Sequence, residues 1–156
     1  FIKMETVDFK IDITGNGFDD RWPECKILTN DHEHFNGQIK GNQIIEFDVS
    51  LDDDSNNKLV IDYYNRDYKK DVVIDRHCYD PIKSTNLVVN SINIDGIELG
   101  MIPYYTSYID VYESWYLDQD REEFPNPRRE DMQISWNSRW TMEFSSPVYI
   151  WLLENM

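Results

Sequence analysis

The sequence predicts an all-β fold, an antiparallel β-sandwich of jelly-roll-like kind with only minor helix. Three observations point there. Apolar and polar residues alternate in run after run, the period that lays one set of side chains on a single sheet face. About eight such runs recur at near-regular spacing, with turn residues between them, which is the pattern of a sandwich rather than of βαβ units. Finally, no stretch keeps a sustained 3.6-residue apolar period.

The first run has Val7, Phe9, Ile11 and Ile13 alternating with Asp8, Lys10 and Asp12. Gly15, Asn16 and Gly17 end it with residues that tolerate positive φ. Cys25 to Leu28 leads to Asn36-Gly37, which reads as a two-residue hairpin turn. Ile45, Phe47, Val49 and Leu51 then alternate with Glu46, Asp48 and Ser50, and a polar loop from Asp52 to Asn57 separates them from Leu59, Ile61 and Tyr63. Val72 to Ile74 and Val88 to Ile94 are further strands, the latter closed by Asp95-Gly96. Trp140, Met142 and Phe144 alternate again, and Pro147 sets off a last apolar run, Val148 to Leu153. Residues 101–133 break this rhythm, so a single domain over 1–156 is expected with a long aromatic and charged loop or insertion there.

Charge and composition narrow the function. The 156 residues hold 30 acids against 15 lysines and arginines, a net charge of -15. That balance opposes direct binding to nucleic acid, whose affinity comes from neutralising phosphates, and docking on an anionic membrane. Aromatics make up 14% of the chain, too many for a disordered acidic tail. The longest apolar run falls far short of the roughly 20 residues that cross a bilayer, and no basic segment followed by an apolar one marks a signal peptide. Two cysteines, Cys25 and Cys78, are too few for a disulfide framework; free buried thiols are expected, a single bridge being the alternative.

Candidate sites follow from side-chain chemistry. Tyr104, Tyr105, Tyr108, Tyr112, Trp115 and Tyr116 crowd one segment, where half-exposed aromatics form platforms for a ligand or anchors for a partner, or simply cover the core. Arg128 and Arg129 are an adjacent basic pair on an acidic chain, suited to a partner's acidic patch or to neutralising Glu122 and Glu123. Asp75, Asp80 and Asp95 could supply oxygens to calcium if their loops converge, although solvated strand ends are the plainer reading. Asp52, Asp54 and Asn56 match the first ligands of an EF-hand loop, but Asn57 and Tyr63 stand where its glycine and glutamate belong. His32 and His34 resemble a zinc pair without a signalled third ligand. No phosphate-binding loop, nucleophile elbow or dinucleotide fingerprint is present, so no enzyme is expected and no cofactor other than calcium.

The C-terminal residues carry a resemblance. Ser135 to Trp140, Met142 to Phe144 and Pro147 to Asn155 resemble the ending of small acidic proteins encoded by T4-like tailed phages, including cyanophages. Val72 to Asp75, Leu87 and the stretch Asp95 to Leu99 also look like those proteins. The same middle region is similar to calcium-dependent carbohydrate-binding modules, whose calcium ligands lie near an Asp-Arg pair matched here by Asp75-Arg76. The phage resemblance implies a non-enzymatic virion or accessory protein, in the particle or the host cytoplasm, contacting other virion proteins or copies of itself. The second implies a glycan ligand for surface adhesion. An acidic inhibitor that mimics nucleic acid is the third reading of the charge.

Overall fold

A computed structural model of the chain describes residues 4–67, 69–75, 77, 81–113 and 132–156. Its frame is the strand that opens the sequence. In β1 (Met4–Asn16), Val7, Phe9, Ile11 and Ile13 are buried while Asp8 and Lys10 face solvent, as the alternation predicts. β4 (Gly41–Asp52) runs antiparallel along one side of β1, with Phe47 opposite Phe9 and Asp48 opposite Asp8. β8 (Asn86–Ile94) lies along the other side, extended by the short β9 (Ile97–Glu98) and β11 (Gln133–Ile134). These strands form sheet I, in the order β11-β8-β1-β4 with β9 also on β8.

Sheet II is built from β2 (Glu24–Thr29), β3 (His32–Gln38), β5 (Asn56–Tyr63), β10 (Ser107–Val111) and β12 (Ser138–Ser145). Its order is β10-β12-β5-β2-β3, every pair antiparallel. A separate hairpin pairs β6 (Val72–Ile74) with β7 (Pro81–Ser84). Two short helices, α1 (Ile102–Thr106) and α2 (Val148–Asn155), complete the described elements.

The inner faces of the two sheets meet in an aromatic spine. Phe9 stacks on Phe47 at 5.3 Å and meets Phe144 of sheet II edge-on at 5.7 Å; Phe144 in turn touches Trp151 of α2 at 5.9 Å. Such offset and edge-on contacts suit the ring quadrupoles. At the far edge His34 of β3 stacks on Phe47 at 4.1 Å, and its Nε2 lies 2.5 Å from the Thr29 hydroxyl. The imidazole thus bridges the edge strands of both sheets. Burial, and then the neighbouring His32, lower the His34 pKa below its ordinary 6.5. The fold therefore favours neutral His34. Its contribution is complete above pH 6.5 and is lost as acid protonates the unfolded chain preferentially. Urea melts from pH 7.5 down to 5.5 should show a falling stability whose slope is reduced in His34→Gln; an unchanged slope would contradict this role.

Several expectations are corrected. Asn36 and Gly37 lie inside β3, opposite Lys26 and Cys25, and the turn falls at Asn30-Asp31 instead, where both residues have positive φ. That pair satisfies the same two-residue geometry, which Asn and Asp tolerate. The polar loop from Asp52 to Asn57 crosses between the sheets, because β4 belongs to sheet I and β5 to sheet II. The last apolar run is α2, not a strand. Val148, Trp151 and Leu152 are its buried residues, the i, i+3, i+4 set of a helix, and a run of six apolar residues cannot declare its period alone. Glu5 fixes its start, accepting the Val148 N–H at 3.1 and 3.2 Å, a negative group at the positive end of the helix. Within the expected long loop, residues 102–111 form α1 and β10, and residues 114–131 lie outside the described residues. Cys25 is a free, buried thiol pushed up to about 12 by burial; Cys78 lies outside the described residues.

Candidate functional site

Strand register sets the outer face of sheet II. Alternation turns Tyr108 and Asp110 of β10, Arg139, Thr141 and Glu143 of β12, and Lys58, Val60 and Asp62 of β5 away from the core. Cross-strand pairing then lines them up in rows. Tyr108, Thr141, Val60 and Leu28 form one row; Asp110, Arg139, Asp62 and Lys26 form the next; Glu143 stands opposite Lys58. The charged row alternates in sign, so neighbours attract rather than repel.

Two adjoining hollows include residues of this face. One, of ≈ 500 Å³, is lined by Asn30, Asp31, Val60, Tyr108, Asp110, Arg139 and Thr141, together with Asn56 and Lys58. The other, of ≈ 440 Å³, shares Asn56 and Lys58 and continues past Asn57, Glu143, Phe144 and Ser145 to Trp151. Together they make one cleft lined mostly by polar side chains, with Val60, Tyr108, Phe144 and Trp151 as its apolar members. Asn30 holds part of this lining in place: its amide donates to Asn57 Oδ1 at 2.8 Å and its Oδ1 accepts the Lys58 N–H at 2.9 Å. Lys58 has no ion pair among the described residues, and Arg139 makes only a 3.9 Å contact to the exposed Asp31. Exposed contacts of that length contribute little, so both cations are available to a ligand.

The expected aromatic surface divides. Tyr108 lines the cleft, and Tyr112, four residues on, follows it just past the end of β10. The Tyr112 hydroxyl donates to Asp62 Oδ1 at 2.7 Å and to the Tyr63 carbonyl at 2.8 Å. Burial, then this bond to Asp62, raises its pKa. These contacts fix Tyr112, which is not among the lining residues of the cleft. Tyr104 and Tyr105 sit on α1, away from the cleft lining, while Trp115, Tyr116, Arg128 and Arg129 lie outside the described residues.

Two of the three candidate calcium ligands lie among the described residues, each accepting a backbone N–H. Asp95 closes β8, with positive φ, and its Oδ1 accepts the Asp8 N–H at 2.7 Å. Asp75 follows β6, in the hairpin that precedes β8, and accepts the His77 N–H at 2.7 Å. Asp80 lies outside the described residues. Among the described residues no group of three or more His, Cys, Asp or Glu is arranged to hold a metal ion. His32 and His34 touch edge-on at 5.0 Å, and the Thr29 hydroxyl beside His34 is buried, so that cluster packs the sheet edge. The outer face of sheet I is different again: Asp8 and Asp48 stand directly opposite each other, and desolvation, then Asp48, raises the Asp8 pKa.

Sequence reasoning located Tyr108 but missed Asn30, Lys58, Arg139, Thr141 and Glu143 as its neighbours. Alternation alone shows that the four strand residues point outward; Asn30 sits in the turn between β2 and β3. Only the strand order β10-β12-β5-β2 shows that they share one cleft.

No helix of the described chain is long and apolar enough to cross a membrane. No family model and no curated protein sequence matches the chain. Among solved structures the chain is similar to the selenomethionine form of vCBM60, described in work on circular permutation between two families of calcium-dependent carbohydrate-binding modules. The two are 7% identical, with a TM-score of 0.44, over 87% of this chain and 89% of that one.

Proposed function

We propose that the chain is a single non-catalytic binding domain whose cleft on the outer face of sheet II takes a glycan. The observation that carries this reading is the lining of that cleft. A sugar ring presents hydroxyls that both donate and accept, around faces of C–H groups that pack on apolar surface. The cleft offers Lys58, Arg139, Asn56 and Thr141 as donors, Asp31, Asp110 and Glu143 as acceptors, and Val60 with the Tyr108 ring as the apolar surface. A concave site where polar groups converge beside apolar surface is a common form of small-ligand site. The buried, protonated Cys25 offers no nucleophile at neutral pH. The virion role implied by the C-terminal resemblance gains no support from the fold or the comparisons.

Binding to immobilised oligosaccharides tests the reading. Wild type is expected to retain at least one saccharide class. Tyr108→Ala and Arg139→Ala should each weaken it about tenfold or more, the scale of losing a central contact. Asp48→Asn, on the opposite sheet, should leave it unchanged. The donors and acceptors that this reading assigns to the sugar are side chains, so it expects binding to survive EDTA; loss on chelation would favour calcium at Asp75, Asp80 and Asp95. Binding that ignores both cleft substitutions would contradict the proposal.

A further inference from the structure

A second surface lies away from the cleft. α2 carries two apolar stripes. Val148, Trp151 and Leu152 are buried, whereas Tyr149, Leu153 and Met156, at the i, i+4, i+7 spacing of a second stripe, are 63%, 69% and 86% exposed. A surface helix normally turns polar residues to water, and one that is apolar on all sides is normally covered on all sides. The exposed apolar surface continues onto neighbouring elements. Ile97 of β9, Met101 before α1 and Tyr105 of α1 join Leu152 and Met156 in lining a hollow of ≈ 310 Å³. None of these residues lines the glycan cleft. Contiguous apolar surface of this kind marks an interaction site more often than scattered exposed side chains do.

Charge identifies the occupant. Glu98 lines the hollow and Glu154 is exposed on α2, and among the described residues no lysine or arginine lines it. The whole chain carries -15, so a second copy would bring like charge to an already acidic rim. An anionic lipid surface is repelled for the same reason. We infer that this face docks a cationic amphipathic segment of a partner protein, whose apolar side chain enters the hollow between β9, α1 and α2 while its lysines or arginines meet Glu98 and Glu154. Helix-in-groove recognition works this way, with apolar anchors at helical spacing fixing register and charges on the rim favouring one class of partner.

The sign of a charge substitution separates anchored docking from loose attraction between an acidic protein and a basic peptide. Leu153→Glu and Met101→Glu each add an acid, which strengthens purely electrostatic association, but each removes an apolar contact. The probe is a fluorescein-labelled Leu/Lys amphipathic peptide of about five helical turns, read by anisotropy against the full chain. Wild type should bind it, both glutamate variants should bind about tenfold more weakly, and Asp48→Asn should match wild type. Leu153 and Met101 are exposed, so thermal melts of the variants should overlay wild type and exclude misfolding. Equal or tighter binding by the glutamate variants would overturn the inference. So would sedimentation showing wild-type dimers that Leu153→Glu dissolves, which would make a second copy the occupant. Binding to phosphatidylcholine vesicles that the glutamate variants lose, with peptide binding intact, would assign the face to lipid and likewise overturn it.

Discussion

Glu113→Ala is expected to lower the stability of the domain by about 3–5 kcal/mol, the usual cost of leaving one partner of a buried ion pair behind. Arg66 and Glu113 are 6% and 5% exposed at their side chains, and Arg66 Nη1 donates to both carboxylate oxygens at 2.9 and 3.2 Å. Glu113 Oε1 also accepts the Asn137 N–H at 2.9 Å. The Asn137 side chain closes the knot, accepting the Arg66 N–H at 2.8 Å and donating to the Arg66 carbonyl at 2.7 Å. Three parts of the chain meet here: the exit of β5, the exit of β10 and the entry to β12. Arg66 Nε is already buried without a hydrogen-bond partner, so removing Glu113 leaves a guanidinium with little to replace its hydration. Urea melts measure the loss. The double variant Arg66→Met with Glu113→Leu should recover part of it, because no buried charge is then left uncompensated and only the Asn137 N–H still lacks its acceptor. A loss below about 1 kcal/mol in Glu113→Ala would show that the pair behaves as an exposed one.

Gly15→Ala is expected to be comparably damaging, about 3 kcal/mol or more, through overpacking against backbone that cannot retreat. A Cβ at Gly15 would stand 2.0 Å from the Ile39 carbonyl oxygen and 2.7 Å from its carbon. Gly15 is held from both sides, opposite Gly41 in β4 and Leu87 in β8, and Ile39 is fully buried with its N–H bonded to Pro23 O at 2.9 Å. Neither strand can give way without parting a sheet. Gly96→Ala is the useful contrast. Its φ of +80° costs a non-glycine residue conformational strain, but nothing lies within 4 Å of its added Cβ. That loss should be nearer 1 kcal/mol. Thermal melts that rank Gly96→Ala as the worse of the two would contradict the packing account.

The fold was legible where one face of a strand is dry and the other wet. β1, β4, β8 and β12 follow their alternation because each lays one face on the aromatic spine. It was not legible where tertiary contacts choose between local options. β3 reads His32 to Gln38, with little apolar content, and is a strand because β2 pairs with it. Asn36-Gly37 has strong turn chemistry, yet Asn30-Asp31 takes the turn because Asn30 also bonds to Asn57 and Lys58 of β5. α2 became a helix where Trp151 could reach Phe144 and Glu5 could meet its first N–H. The candidate site was legible only in part, through Tyr108. Its other residues are distant in sequence and ordinary in composition, and strand order alone unites them.

The cleft reading is tested most directly by titrating the 15N-labelled domain with the saccharide that binds it best and following backbone amide shifts. The account predicts perturbations concentrated at Asn30, Asn56, Lys58, Tyr108, Arg139 and Thr141, with the outer face of sheet I around Asp8 and Asp48 unmoved. Shifts confined to Asp75 and Asp95, to the α1 and α2 surface, or spread evenly over both sheets would contradict it.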